Sequence, residues 1–208
     1  DLHRIATTEE PQAEPGTAFG YSYANYILLA HLAEAVTGRP MAELLQGRVF
    51  EPAAMADTTI PDDATMPDGS LRGFLLTDGG TTELTEYTPT LMSWGANAIS
   101  TVGDLNRFYR AAFDGTLLDA ESAEEMRTSG EQYFLGLLPH PDESADGSAQ
   151  TAYGNRGNGF GYAAASFHSP DGQRQVSLAW SGTGANPATD PVFMASIMQM
   201  TAGLGLTC

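Results

Sequence analysis

From about residue 23 to residue 36 the chain is apolar with few breaks, carrying Ile27, Leu28, Leu29, Leu32 and Val36. This pattern predicts a helix over Tyr23–Val36 that is buried on most sides. Gly38 supplies a stop and Arg39-Pro40 a restart. A second helix is predicted over Pro40–Phe50, with Met41, Leu44, Leu45 and Val49 on one stripe. The periodicity then dissolves over residues 51–93. Turn clusters at Pro61-Asp62-Asp63, Pro67-Asp68-Gly69 and Asp78-Gly79-Gly80 interrupt it, with room for a short strand near Gly73–Leu76. A long excursion of this kind inside a compact domain serves as a lid or a wall. Helical spacing returns over Thr101–Phe113, capped by Ser100 or Thr101, and again over Ala120–Thr128.

The last third changes period. Strands are predicted over Tyr133–Leu138, Thr151–Gly157, Phe160–His168 and Gln175–Ser181, with His140–Ser148 as an acidic loop and Ser169-Pro170-Asp171-Gly172 as a turn. Gly182–Asp190 reads as a loop and Pro191–Leu204 as a Met-rich helix. Helices first, then an antiparallel sheet closed by a helix, make an α+β fold. The chain reads as one domain over 1–208. Residues 1–14 are the remnant of a preceding element, 15–130 are mainly helical around the 51–93 loop, and 131–208 hold the sheet and C-terminal helix.

Composition narrows the function classes. The 208 residues carry 9 basic and 26 acidic side chains, a formal charge of −17. All the bases are arginine; there is no lysine. Such a balance excludes phosphate-backbone binding, so nucleic acid is not an expected partner. No apolar run reaches the roughly 18 residues of a membrane span. Cys208 is the sole cysteine and has no internal partner to bridge.

The candidate chemistry is sparse. His3, His31, His140 and His168 show no ligand spacing, so neither a metal nor another cofactor is expected, and His31 reads as a hydrogen-bonded core residue. The glycine-rich run Gly154–Gly161 lacks the following helix that a phosphate loop requires. It reads instead as a strand against which another backbone docks. Tyr21, Ser22, Tyr23 and Asn25 crowd the start of the first helix, where unpaired N–H groups favour anions. The run Gly20-Tyr21-Ser22-Tyr23-Ala24 approaches a nucleophile elbow, with Asp142 and His168 in the matching order, but a poor strand precedes it.

Several features in order match one family. Pro15-Gly16, Phe19, Tyr21-Ser22, Asn25-Tyr26, Leu29, Glu34 and Thr37-Gly38 resemble the second-motif region of the serine β-lactamase and penicillin-binding-protein superfamily. The nearest branch holds class C β-lactamases, D-Ala-D-Ala carboxypeptidases and esterases. Phe50-Glu51-Pro52, Met55 and Thr58-Thr59 are similar to the stretch that follows there. Ser93-Trp94, Ile99-Ser100-Thr101 and Asp104-Leu105 fit the next helical segment. Tyr153–Asn158 with Gly161-Tyr162 fall where the third motif opens an edge strand.

The resemblance implies a β-lactamase/transpeptidase-like fold and an acyl-enzyme hydrolase of peptide, β-lactam or ester substrates. It implies that Tyr21 moves protons and that the Asn158 N–H is an oxyanion donor. Tyr23, Trp94, Asn155, Arg156 and Gly157 would line the substrate, with Arg156 either greeting a carboxylate or blocking the pocket. Against the family pattern, Tyr23 replaces Asn, Asn155 replaces Lys or His, and Arg156 replaces Thr or Ser. The Ser-x-x-Lys motif is absent. The expectation is therefore a C-terminal portion, inactive alone and completed by a missing N-terminal segment or companion chain. A non-catalytic binding or scaffold protein is the alternative. An extracellular or envelope location is implied by the family alone.

Overall fold

A computed structural model describes residues 8, 13–14, 16–86, 93–130, 133–143, 149–159, 161–170 and 172–184. Most of the 1–14 remnant and all of the Pro191–Leu204 helix lie outside the described residues. Helix α1 spans Ala24–Thr37, and α2 spans Met41–Leu45 and runs on as a π-helical turn, Gln46–Phe50. A hairpin of β1 (Phe74–Thr77) and β2 (Gly80–Glu83) and a 3-10 turn (Ser93–Gly95) follow, then α3 (Val102–Phe113) and α4 (Ala120–Thr128). Strands β3 (Leu138–Glu143), β4 (Ala149–Gly159), β5 (Tyr162–His168) and β6 (Gln175–Ser181) form an antiparallel sheet in sequence order. A short β7 (Thr183–Gly184) pairs in parallel with β1, giving a small sheet ordered β2-β1-β7. The α+β layout is as expected.

The helix ends follow local chemistry. Gly38 stops α1 in the left-handed region at φ 68°, its N–H on the Glu34 carbonyl. The π-helical turn closes differently: Met55 N–H bonds the Phe50 carbonyl at 2.8 Å and Ala54 N–H bonds that of Glu51 at 3.1 Å. That pair of bonds is a Schellman closure, and Ala54 occupies the position where glycine is usual, at φ 55°. Phe50 and Met55 flank it and bury together with Ala53 and Ala111.

Asp104, fully buried in the first turn of α3, anchors the next segment. Its carboxylate accepts from the Asp57 N–H (2.9 Å) and the Thr58 hydroxyl (2.7 Å) and pairs with Arg107. Thr101 caps the same turn through the Asp104 N–H. Thr59 and Ile99 bridge beside it, so residues 57–60 are held against the chain leading out of the 3-10 turn.

Strand alternation sorts the large sheet. Ala152, Ala163, Ala165 and Phe167 share one face with Val176 and Trp180. Tyr153, Asn155, Ser166 and His168 share the other, which meets α3. There Phe113 stacks on His168 at 4.5 Å and Ser177 donates to Asn106 at 2.7 Å. Gly154 is needed for the closeness of β4 and β5: a Cβ there would run into the Ser166 carbonyl and stand 2.7 Å from the Phe167 Cα. The glycine-rich run thus docks backbone, as its composition suggested.

Three expectations are corrected. Helix α1 is not buried on most sides: Ile27 and Ala30 are buried, whereas Leu28, Leu29, Leu32 and Val36 are exposed. His31 accordingly lies on the exposed side beside Glu34, 3.3 Å away, and not in the core. The strand expected over Tyr133–Leu138 begins only at Leu138 and takes up His140–Glu143, which had read as loop. Gly136 (φ 80°) and a bond from the Phe134 N–H to the Leu137 carbonyl turn the earlier residues. Pro139 and Pro141 are admitted because β3 is an edge strand.

Candidate active site

Helix α1 starts without a side-chain cap. Tyr23 sits in the cap position with helical backbone, and the turn is closed by Asn25 N–H to the Ser22 carbonyl and Tyr26 N–H to that of Tyr23. The Tyr23 ring is seated on Gly95, where a Cβ would stand 2.5 Å from two ring carbons. Glycine at 95 therefore lets the 3-10 turn, with half-buried Trp94, lie against the start of α1. The Tyr23 hydroxyl oxygen is buried with no hydrogen-bond partner among the described residues. Burial, and then the neighbouring Tyr21, push its ionisation above the ordinary tyrosine value.

One helical turn on, Tyr26 reaches across to the sheet. Its hydroxyl lies 2.6 Å from that of Tyr133. Burial first, and the bond to Tyr133 second, raise the Tyr26 ionisation well above the ordinary range. Asn155 completes the contact from β4: its amide nitrogen donates to the Tyr133 hydroxyl at 3.0 Å and to the Gly136 carbonyl at 3.1 Å. Its amide oxygen accepts from the Arg156 N–H at 2.8 Å. Tyr21 is outermost, 70% exposed, with its ring edge-on to Tyr133 at 6.5 Å.

Strand β4 has one open edge here. Pairing with β3 stops at Gly154, while pairing with β5 continues to Gly159. Gly159 and Tyr162 close the hairpin, so by alternation residues 155 and 157 bond β5 and residues 156 and 158 turn their N–H groups to the open edge. The Arg156 N–H is taken by Asn155, which leaves that of Asn158 pointing outward. A Cβ at Gly157 would meet nothing within 4 Å, so open space lies in front of it.

The structure thus brings Tyr21, Tyr23, Asn155, Gly157 and the Asn158 N–H to one region, with Trp94 next in sequence to the Gly95 on which Tyr23 sits. Alternation places the Arg156 and Asn158 side chains on the opposite sheet face, level with Ala165 and Ala163, where both are exposed. Tyr26 and Tyr133 were not singled out from sequence. Tyr26 carried a weak signal, three residues after Tyr23 on one helix. Tyr133 carried none.

The nucleophile-elbow reading fails on two counts. No strand precedes Ser22 among residues 16–22. His168 is fully buried among Phe113, Tyr109 and Tyr153, away from any reacting group. Among the described residues no cluster of three metal-ligating side chains occurs. A hollow of about 530 Å³ along Ala64–Ser70, Thr85 and Glu86 shares no residue with the tyrosine region. What the region offers chemically is a phenol at its mouth and an outward strand-edge N–H with no strand paired to it among the described residues, a proton carrier beside an anion donor.

Known proteins match both the sequence and this architecture. A family model described as Beta-lactamase matches residues 1–202. A D-aminopeptidase of Brucella anthropi is 40% identical over 81 residues, covering 36% of this chain and 15% of that protein. A D-stereospecific amidohydrolase from a Streptomyces species is 26% identical with a TM-score of 0.78, over 86% of this chain and 55% of the other. The D-amino acid amidase of Ochrobactrum anthropi SV3, solved with L-phenylalanine amide, matches in fold at 22% identity and a TM-score of 0.79, over 98% and 61% of the two chains. The chain spans little more than half the length of these solved structures and a smaller share of the curated relative.

Proposed function

The chain belongs to the beta-lactamase family, and from that premise we propose that it is the C-terminal part of a serine hydrolase working through an acyl-enzyme. The substrate class we propose is an amide or short peptide of a D-amino acid, on the similarity to D-aminopeptidase and D-amino acid amidase. In this reading a serine hydroxyl adds to the substrate carbonyl, and its proton passes by way of Tyr21 to the leaving amine. The Asn158 N–H bonds the oxyanion, and water then splits the ester. In this reading Tyr23, Trp94 and Gly157 line the pocket, whereas the Arg156 side chain, on the opposite sheet face, takes no part in it. An envelope or extracellular location belongs to the same proposal.

Covalent catalysis of this kind needs a nucleophile and its base. The chain has no lysine, and Ser22 is exposed in the lead-in to the helix. Both groups are therefore assigned to a further N-terminal segment of the same protein, and the 208 residues alone are inactive. One observation carries this reading: the outward stripe of α1. Leu28, Leu29, Leu32 and Val36 are 41%, 59%, 59% and 77% exposed, and their three- and four-residue spacings put them side by side. Phe19 and Tyr21, just before the helix, are exposed as well, at 61% and 70%. A contiguous apolar face of that kind marks an interface.

The test is acylation of the intact gene product by a D-amino acid p-nitroanilide, a p-nitrophenyl ester and a labelled penicillin. The expected result is an acyl adduct on a serine upstream of these residues, and none on the 208-residue chain alone. An intact product that lacks such a serine, or that is folded and unreactive toward all three, overturns the proposal. It would favour the non-catalytic reading, which the full commitment of the Asn155 amide to internal bonds already supports.

A further inference from the structure

We propose that Tyr26, Tyr133 and Asn155 form a hydrogen-bonded bar that sets the spacing between the Tyr21 end of α1 and the open edge of β4, with Asn155 acting as a positioning residue and not as a substrate ligand. The inference deepens the hydrolase reading and rests on it for its catalytic consequence, though not for its structural content.

Bond accounting supports the bar. An asparagine amide has two N–H donors and one carbonyl oxygen. Both donors of Asn155 are used, on Tyr133 and Gly136, and the oxygen holds the Arg156 N–H. Little of the amide is left to bind anything that enters. The Tyr133 hydroxyl receives the Asn155 amide and donates to, or shares a proton with, Tyr26. Three elements far apart in sequence thus meet in one line: α1, the turn before β3, and β4.

That line lies next to the groups assigned to chemistry. The amide oxygen of Asn155 fixes the Arg156 N–H, so the next outward N–H on that edge is Asn158's. The Tyr133 ring is the edge-on support of Tyr21. Pulling on either end of the bar therefore shifts the proton carrier relative to the oxyanion donor, and a misplacement of about 1 Å costs on the order of a hundredfold in rate.

The bar is tested on the intact gene product by NMR of asparagine side chains. The Asn155 signals are identified by their loss in Asn155→Asp. The expected result is two amide protons that exchange with water roughly tenfold or more slowly than those of exposed asparagines, and loss of this protection in Tyr133→Phe. Tyr26→Phe, which breaks the far end, provides a second variant if Tyr133→Phe does not fold, and is expected to reduce the protection partly. Amide exchange as fast as that of exposed asparagines, or protection unmoved by both variants, overturns the bar whatever the activity.

Where the protein hydrolyses an amide or ester, Tyr26→Phe and Tyr133→Phe should each lower kcat roughly tenfold with KM within about twofold, and the double variant should be no worse than either alone. Unchanged kcat in both single variants overturns the positioning role. Protected amides in a protein without hydrolytic activity uphold the bar and remove the hydrolase reading, so the two failures are distinguishable.

Discussion

Replacing Asp104 with alanine is expected to destabilise the fold by about 3 kcal/mol, from the buried Thr58 hydroxyl and the half-buried Asp57 N–H it leaves without an acceptor. Asp104 is fully buried and accepts from the Asp57 N–H at 2.9 Å and the Thr58 hydroxyl at 2.7 Å. A stranded buried donor costs about 1–3 kcal/mol. Thr58 can turn its proton to Ser100, 2.7 Å away, which lowers its share, whereas the Asp57 N–H has a fixed direction. The Arg107 pairing is less costly to lose. Its guanidinium is 52% exposed although Asp104 is fully buried, so water can take its place at the carboxylate while both donors stay bound. The order of effects is therefore Asp104→Ala, then Asp104→Asn, which keeps one oxygen acceptor, with Arg107→Ala well below Asp104→Ala. The assay is urea unfolding of the intact gene product, read as a shift in midpoint at constant slope. Asp104→Ala within about 1 kcal/mol of the parent, or Arg107→Ala as costly as Asp104→Ala, would refute this reasoning.

Ala54→Gly should raise the thermal midpoint, since alanine at φ 55° bears a left-handed strain of about 1–2 kcal/mol that outweighs the entropy cost of glycine; an unchanged or lower midpoint sinks the Schellman argument. Tyr109 is buried and its ionisation is raised above the ordinary tyrosine value of about 10 by desolvation, with Tyr133 adding to it. Between the unfolded and folded values the native state keeps a proton that the unfolded chain has released, so stability is level below about pH 10 and falls above it. Tyr109→Phe should flatten that alkaline limb in urea titrations, and an equal slope in both proteins counts against it. In the intact hydrolase, Tyr21→Phe should lower kcat on the order of a hundredfold or more while ground-state binding weakens far less. Equal losses in both would remove its proton-transfer role.

What the sequence disclosed depended on how local each signal was. The stop at Gly38, the cap at Thr101 and the turn into Gln175–Ser181 each rest on a few adjacent residues, and each lies where it was expected. Strand β3 was displaced because the polar, acidic run from His140 reads as a loop, and only the finished sheet shows that it pairs along an edge, where Pro139 and Pro141 are admitted. The tyrosine region divides the same way. Tyr21 and Tyr23 announced themselves by crowding a helix start, whereas Tyr133 meets Tyr26 across 107 positions and Asn155 across 22. No periodicity reports a contact of that range.

The exposed stripe of α1 is the same lesson in reverse. Apolar periodicity states that a face requires cover; it does not state what provides it. Two copies of this chain pairing by their stripes would bring together two bodies each carrying −17, and that repulsion opposes self-association at low salt. Cover from another part of the same protein meets no such barrier once the two parts are joined, because tethering makes the contact intramolecular and raises its effective concentration to about the millimolar range. Leu32→Glu should therefore act oppositely in two settings. In the isolated 208 residues it should improve solubility by breaking an apolar patch. In the intact gene product it should destabilise by about 2 kcal/mol or more, the cost of a charge placed where a leucine was buried. A neutral effect in the intact protein, measured by urea unfolding, would mean that the stripe stays open to water and that the segment proposed to cover it lies elsewhere.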